Sequence, residues 1–579
     1  MNKRKLYLAL GLIGFFALLV RLWGINFGLP YGVYFRPDED IIVNYAISFG
    51  KGDFNPRWFM YPTFQMYLTF VLYGTYFIIL LILGLVRTAG DFANFYYLNP
   101  GSFYLIARFL SSFAGAATVI SLYYLGKRAY SQRTGLLASL FLAFVFLHVR
   151  DSHFARLDAL MTFFLVLAFI YVLRLSISGK IKDYLLAGMF AGLSISTKYP
   201  AGVILVPMVI SHFFANPKKW WNSKLYLMFL STAFFFFLGT PFAFLNFSIF
   251  VKDLLYMSTF AKNGFGLNLG WGWWYNLVFS LRYGLGLPLL IASLSGVALA
   301  IWRHQKKEIL FLSFILIYYL ANSLGKLLFV RYMIPLVPFL CLMAAEVVNH
   351  FLNSLTPLKI SKFLKQTVTL LLISIILSSS VHSLCWHNWL LCQKDTRILA
   401  KEWIEANIPS RTRIAMEGYQ VYNFPPLWES KESISERLKG KYKGGRFAFY
   451  LDSPSYSRFS QYYLFKIQEG QVEYIDEYTR VPAKAEMLRK ERIEYIITFE
   501  HPLVLYSSDK KVTEKICQQA YLVKEFSPFK TPGIKAFPLY DQLDAYYVPL
   551  ARFKGIIRPG PVIRIYQLKN QKIYDGKNQ

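Results

Sequence analysis

Three carboxylates stand together in Arg36-Pro37-Asp38-Glu39-Asp40, shortly after the first long apolar run. Charge beside a bilayer is costly unless it is paired or used. One use is proton transfer, with Asp38 as a base and Glu39 beside it. The other reading is a helix start: Pro37 suits a first turn, and the acids would complement the dipole of a helix over 38–49. A second acidic position is Asp158, at the head of an apolar run. Alone it reads as an N-cap. It is crowded by Arg150, Asp151, His153 and Arg156, so it also reads as a second wall of a polar site. Lys198, in Thr197-Lys198-Tyr199-Pro200, separates two apolar halves and is either a snorkelling lysine or an anion contact. Arg331, in GKLLFVRYMIP, lies about one turn inside an apolar run, where a guanidinium needs an ion-pair partner or an anionic ligand. Lys326 would join it only if it precedes the helix. A forked donor with a flexible ammonium suits a phosphate.

The elements that carry these residues are membrane elements. The chain has 579 residues, 55% hydrophobic and 17% charged. Apolar runs at 6–24, 103–127, 134–149, 157–176, 183–197, 199–215, 225–243, 275–301, 308–323, 328–348 and 367–385 approach or reach spanning length. We therefore expect an α-helical polytopic membrane protein of about 11–13 transmembrane helices. The formal charge of +30 sits largely in loops between apolar runs, which is a topology signal rather than a nucleic-acid footprint. Anionic lipid headgroups or lipid phosphates are the expected partners, and no nucleic acid. Residues 1–24 begin MNKRK and lack a small-residue cleavage site, so they read as a retained first span.

Placing MNKRK in the cytoplasm puts the Asp38 cluster outside. If the run at 62–86 does not cross, the basic loops KRAYSQR (127–133), SGKIKD (178–183), NPKKWWNSK (216–224), RHQKK (303–307) and LKISKFLK (358–365) all fall inside. We therefore read 62–86 as lying in the outer interface or dipping in and returning, with about eleven crossings and the C-terminal region outside. The expected location is a multi-pass plasma (inner) membrane protein. On this assignment 150–158, Lys198, Lys326 and Arg331 share the face of Asp38.

From about 386 long apolar runs stop. The expected domains are a transmembrane domain over 1–385, whose outer loop 25–102 carries the acidic motif, and a small extracytoplasmic α/β domain over 386–579. In the latter, 395–409 reads as a helix; 413–419, 446–452 and 493–500 read as strands; EKICQQAYLVKEF reads as a helix running into a strand. Cys385 and Cys392 could pair on an oxidising side or remain free. The stretch KNGFGLNLGWGWW (262–274) is an aromatic belt or a sugar-facing loop. There is no Walker A sequence, no Rossmann fingerprint and no HExxH. An enzyme with no nucleotide site and an outward active face takes an activated donor from the membrane.

These residues resemble a known superfamily. The chain is similar to GT-C glycosyltransferases of the protein O-mannosyltransferase and aminoarabinose lipid A transferase type, which use polyprenyl-phosphate sugars. The resemblance runs from about residue 6 to 425. It is carried by RPDED with GDFNPRWFMYPTFQMYL, RFLSSFAGAATVISLYYLGKRAY, SHFARLDALMTFF, TKYPAG, RYMIPLVPFL and DTRILAKEWIEANIP. YVPLARFKGIIRPGPVIRIYQL (547–568) extends it. It implies that Asp38 is the catalytic aspartate of an Asp-Glu pair and Asp158 the second acid. Arg331, Lys198 and Lys326 fall where carrier phosphate would be held. Met60-Tyr61-Pro62-Thr63 stands where the lipid A branch has Glu-Lys-Pro-Pro, which argues against aminoarabinose transfer and leaves a divalent metal open.

The expected function is transfer of a sugar from a polyprenyl-phosphate carrier to an acceptor hydroxyl on protein, lipid or glycan, at the extracytoplasmic face and with inversion. Asp38, Glu39 and Asp158 are the expected catalytic residues, and Arg331, Lys198 and Lys326 the phosphate ligands. His153, Arg156 and Tyr61 are expected to orient substrate. The rival readings are a lipid-sugar or polysaccharide transporter and a non-catalytic assembly subunit of the same fold. A transporter should carry ionisable residues near the midplane and related halves, and neither is visible in the sequence.

Overall fold

A computed structural model describes residues 3–31, 35–218, 220–355, 361–418, 421–438, 445–467, 479–482, 485–530 and 537–569. The expected basic residues Lys219 and 358–360, residues 1–2, and the end of the strand read at 413–419 lie outside them. The chain divides into two compact units. One comprises 1–26, 38–89 and 102–389; the other comprises 27–37, 90–101 and 390–579. Two pieces of the 25–102 loop thus pack with the C-terminal region, and the acidic motif is divided between Pro37 and Asp38.

The first unit is a helical bundle, and every apolar run read from the sequence falls on helix. Among the described residues, six helical stretches are long and apolar enough to cross a membrane. They are Lys3–Leu22, Phe64–Ile82, Gly101–Ala129, Leu157–Ser178, Val330–Ser354 and Phe363–Asn407. The number reaches eight if each of two bent pairs is one span: Gln132–Phe144 with Phe146–Ser152, bent by 57°, and Gly272–Leu285 with Leu287–Arg303, bent by 118°. This is fewer than the expected eleven. Ile181–Ile195, Leu205–Ala215, Ser223–Gly239 and Lys306–Ala321 have only 15, 11, 17 and 16 residues, and at 1.5 Å per residue all fall short of a ~30 Å hydrocarbon core. The run at 62–86 forms one helix of 19 residues, Phe64–Ile82, which qualifies as a span by length.

The break between Gln132–Phe144 and Phe146–Ser152 has a physical cause. Carbonyls freed at a helix break need new donors. The fully buried Arg21 donates to the oxygens of Leu142 and Ala143, both at 3.3 Å, and contacts His148 Nδ1 at 3.0 Å. Beyond the break, Phe146 N–H donates to Ser380 Oγ at 2.7 Å. The bend delivers the 153–158 loop to the site described below.

Cys385 lies in the helix Lys362–Leu391 and Cys392 directly follows it. Seven residues of helix separate their backbones by about 10 Å, too far for a bridge. The pairing considered from the sequence is therefore excluded, and both thiols are free.

The second unit is built on a mixed sheet. Its strands are β1 Arg413–Glu417, β2 Trp428–Glu429, β3 Gln461–Ile467, β4 Thr479–Val481, β5 Tyr495–Glu500, β6 Ala520–Phe526 and β7 Val562–Leu568. The order is β2-β3-β1-β5-β7-β6, with β4 paired to β3. β1 runs parallel to β3 and β5, so Ile414 faces Leu464 and Tyr495; β7 runs antiparallel to β5 and β6. Alternation splits the core over two faces. Ile414, Met416 and Ile497 pack with Ala400 and Ile404 of helix Thr396–Asn407. Ala415 and Ile496 pack with Val512 and Ile516 of helix Lys510–Gln519. The two sequence motifs of this unit meet: Thr396 Oγ1 donates to Pro561 O at 2.7 Å, and a Cβ on Gly560, whose φ is +105°, would strike that hydroxyl. Residues 446–452, expected as a strand, form the helix Gly445–Asp452. Phe447, Tyr450 and Leu451, spaced for one helical face, pack on Trp428 and Tyr456.

Close helix packing in the bundle yields a stability test. A Cβ on Gly296 would run into the backbone carbonyl of Met343 on the adjacent helix. Gly296→Ala should therefore overpack this crossing and lower stability by about 1–3 kcal/mol, read as a lower midpoint of unfolding in detergent.

Candidate active site

The motif 38–40 starts the helix Glu39–Ser48. Asp38 is its N-cap by position, yet its side chain makes no capping hydrogen bond, and its backbone is left-handed at φ 70°. A non-glycine residue is held there only when its surroundings impose it. The capping explanation of Asp38 therefore fails, and its carboxylate, 28% exposed, is turned to other partners. Arg156 donates from Nη2 to Asp38 Oδ2 at 2.7 Å, and Arg331 from Nη2 to the same oxygen at 3.3 Å.

Arg156 is the N-cap of the helix Leu157–Ser178, and Asp158 lies in its first turn. The N-terminal dipole favours a carboxylate there. Asp158 accepts from Lys198 Nζ at 2.7 Å. Lys198 immediately precedes a 3-10 turn, Tyr199–Ile204, and its ammonium lies 4.9 Å from the centroid of the Tyr332 ring. Burial pushes its pKa down, and Asp158 opposes that shift. Arg331 occupies a second 3-10 turn, Val330–Leu336, which carries Pro335 and precedes the helix Val337–Ser354. Its guanidinium lies 3.8 Å from the centroid of the Phe329 ring.

Asp38, Tyr61, Arg156, Asp158, Lys198, Arg331 and Tyr332 line one cleft with Ile42, Ala155 and Leu157, about 340 Å³ including its mouth. Three cationic side chains against two carboxylates leave the cleft positive. Burial and the Asp38 carboxylate push the Tyr61 phenol far up, so it remains a neutral hydrogen-bond donor. Tyr332 was not singled out from the sequence, although it adjoins Arg331 in RYMIP.

Three expected site residues lie elsewhere. Glu39 is fully buried and held by Arg108, with Nε to Oε1 at 2.9 Å and Nη2 to Oε2 at 2.6 Å. Its Oε1 also accepts from the Ala155 N–H at 2.7 Å. It ties the start of its helix to the helix Gly101–Ala129 and to the 153–156 loop, and does not face the cleft. His153 is buried between the carbonyls of Val149, 2.8 Å from Nδ1, and Trp23, 3.0 Å from Nε2. Burial pushes its pKa down to about 4. Lys326 does precede the helix of Arg331, but it is exposed on a loop whose N–H donates to Ala261 O, and it does not line the cleft. Arg108, the residue that matters to Glu39, was overlooked; its signal was a lone charge within the apolar run 103–127.

Among the described residues no three His, Cys, Asp or Glu side chains group to hold a metal ion. Both cleft carboxylates are paired with cations. This donor set does not fit a divalent metal.

Residues 100–242 match the model of the dolichyl-phosphate-mannose-protein mannosyltransferase family. No curated protein sequence matches the chain. Among solved structures, ArnT from Cupriavidus metallidurans bound to undecaprenyl phosphate is similar at 11% identity and a TM-score of 0.50, over 98% of each chain. The oligosaccharyltransferase of Archaeoglobus fulgidus in the apo form is similar at 12% identity and a TM-score of 0.47, over 91% of this chain and 74% of that one. The protein O-mannosyltransferase complex of S. cerevisiae bound to the sugar donor is similar at 21% identity and a TM-score of 0.31, over 44% of this chain and 35% of that one. The ArnT likeness shows the fold, and the GT-C resemblance read from the sequence stands on it and on the family match.

The buried Glu39–Arg108 pair sets the stability expectation for the site. Glu39→Gln leaves a guanidinium buried without its counter-charge, a defect that typically costs about 3–5 kcal/mol. The variant should unfold well below wild type in a thermal scan, whereas Lys326→Ala should match wild type in both stability and turnover.

Proposed function

We propose that this chain of GT-C fold is a membrane glycosyltransferase that moves a sugar from a polyprenyl-phosphate carrier to an acceptor hydroxyl at the extracytoplasmic face, with inversion. The observation that carries the reading is the cleft itself: a strained, part-exposed carboxylate that accepts from two guanidiniums, with a lysine and a second carboxylate in the same cleft. An oppositely charged leaving group and a proton acceptor are the two needs of this reaction.

Asp38 is the base. A sugar or serine hydroxyl is too weakly acidic to be ionised by a carboxylate beforehand, so its proton passes to Asp38 while its oxygen attacks the anomeric carbon. The bond from that carbon to the phosphate oxygen breaks on the opposite side, which inverts the centre. The leaving group is a phosphate monoester of the lipid. Arg331 and Lys198 supply cations to the charge developing on it, and fixed charges in a closed cleft act more strongly than in water. Arg331 exchanges its 3.3 Å contact with Asp38 for the phosphate, which leaves Asp38 more basic. Arg156 keeps the carboxylate oriented. Asp158 holds Lys198, and Tyr61 and Tyr332 present neutral hydroxyls to the sugar or phosphate. Lys326 and His153 take no part.

Two substitutions test the assignment. Asp38→Asn keeps the size and tolerates the left-handed backbone but cannot accept the proton. Turnover of the purified variant on a lipid-linked sugar should fall by about 10²–10⁴-fold with donor binding retained, while Asp40→Asn changes little. Comparable activity in the two variants ends the proposal. Arg331→Lys keeps charge but loses the fork. Use of limiting donor should fall roughly ten- to hundredfold, matching the ~1.5–3 kcal/mol of a charged hydrogen bond, and full activity at limiting donor would remove Arg331 from the phosphate site.

A further inference from the structure

Tyr61 lines the cleft, yet it stands in a stretch without secondary structure: residues 52–63 belong to neither helix nor strand. Such a stretch has no ladder to satisfy its peptides, so its place is set by the bonds that other elements supply. The peptide of Phe59 is held on both sides. Its N–H donates to Asp253 Oδ2 at 2.6 Å, and its carbonyl accepts from the Tyr199 hydroxyl at 2.9 Å. The Phe59 ring is fully buried and meets Phe250 edge-on at 6.0 Å, and Phe250 in turn meets Tyr199 at 6.0 Å. Tyr199 adjoins Lys198, so the turn that carries the cleft's lysine and the segment that carries its tyrosine are joined through this peptide. Asp253 and Phe250 lie on the helix Phe247–Asn263, none of whose residues is fully buried. Propensity does not favour an aspartate inside a helix. A hydrogen bond to a charged acceptor is about twice as strong as a neutral one. Asp253 is thus explained by the peptide it holds and not by its own helix. Tyr61 follows Phe59 by two residues and packs edge-on against Trp58 at 5.4 Å, so a shift at Phe59 moves both. All of these residues belong to the helical unit.

We propose that Asp253 and Tyr199 are positioning residues for the Tyr61 hydroxyl, acting through the Phe59 peptide; this rests on the reading of Tyr61 as a donor contact. Asp253 fixes the peptide from the helix 247–263, and Tyr199 fixes it from the lysine turn. The two bonds together allow the peptide one orientation, and with it the direction in which the chain sets out toward Tyr61. Neither residue lines the cleft. Their effect is on use of the donor, because the hydroxyl they place faces it.

The test is a double-mutant cycle on the full-length purified enzyme with a lipid-linked sugar donor. Asp253→Leu removes the acceptor and suits a helix better than aspartate does. Tyr199→Phe removes the hydroxyl and keeps the ring. Tyr61→Phe removes the hydroxyl that is placed. Each should lower kcat/KM for the donor roughly three- to tenfold, the loss expected of one hydrogen bond. Asp253→Asn keeps an acceptor oxygen and should recover most of what Asp253→Leu loses. Added to Tyr61→Phe, Asp253→Leu should cost nothing further, within about twofold, whereas independent residues multiply their losses. The reason is that an absent hydroxyl cannot be misplaced. A multiplied loss overturns the proposal, and so does wild-type kcat/KM in both Asp253→Leu and Tyr199→Phe. If Asp253→Leu does not fold, the same cycle with Tyr199→Phe decides alone. Tyr61→Phe separates the two levels. If it is fully active, the donor contact itself has failed and the positioning role falls with it. If it is impaired while the Asp253 and Tyr199 variants are not, only the positioning role has failed.

Discussion

The site depends first on one buried charge pair. Glu39 and Arg108 are both fully removed from solvent, and each would be strongly destabilising alone. Bound by two hydrogen bonds, they join a helix start, a long apolar helix and the loop that carries Arg156. That junction frees Asp38 from helix capping. The division of labour between adjacent acids follows: one is buried and satisfied, the other is left-handed and part-exposed. A bidentate pair suits such a junction because it fixes direction as well as distance.

Beside this junction the cleft carboxylates and cations are paired with one another. Asp38 shares one oxygen between two guanidiniums, and Asp158 takes a single lysine. In a low-dielectric surrounding such charges interact strongly. The excess of cations over carboxylates lies beside the rings of Phe329 and Tyr332. The aromatic partners of Arg331 and Lys198 stabilise the cations without neutralising them.

Much of this was legible in the sequence, for a physical reason. A charge bordering an apolar run is conspicuous, so Asp38, Asp158, Lys198 and Arg331 could be found without coordinates. What such reading cannot supply is direction. Glu39 and His153 stand next to cleft residues in the chain yet point into the bundle, and Lys326 has the right charge on the wrong loop. Arg108 was hidden because one arginine in a long hydrophobic helix reads as a flaw in a span rather than as a partner. Asp544, the ion-pair partner of Arg36, was out of reach, since the two lie 508 residues apart. The helix at 445–452 was read as a strand because short aromatic runs fit both periods. The helical class and the C-terminal α/β unit were readable because long apolar runs and their abrupt end are properties of composition.

The discontinuous C-terminal unit also sets a timetable. Residues 27–37 emerge early, but Arg397, which lies over Phe35, and Asp544 and Tyr546, which hold Arg36, belong to sequence beyond residue 390. Asp544 follows Arg36 by 508 residues, and at about 5–20 residues per second its synthesis lags by roughly half a minute or more. During that interval the helices can insert and Glu39 can find Arg108, while the segment before Asp38 has no finished fold to join. A nascent chain can therefore hold an assembled bundle before residues 27–37 have joined their own unit. The Arg36–Asp544 pair can close only after residue 544 has been made, long after the Glu39–Arg108 pair has become possible.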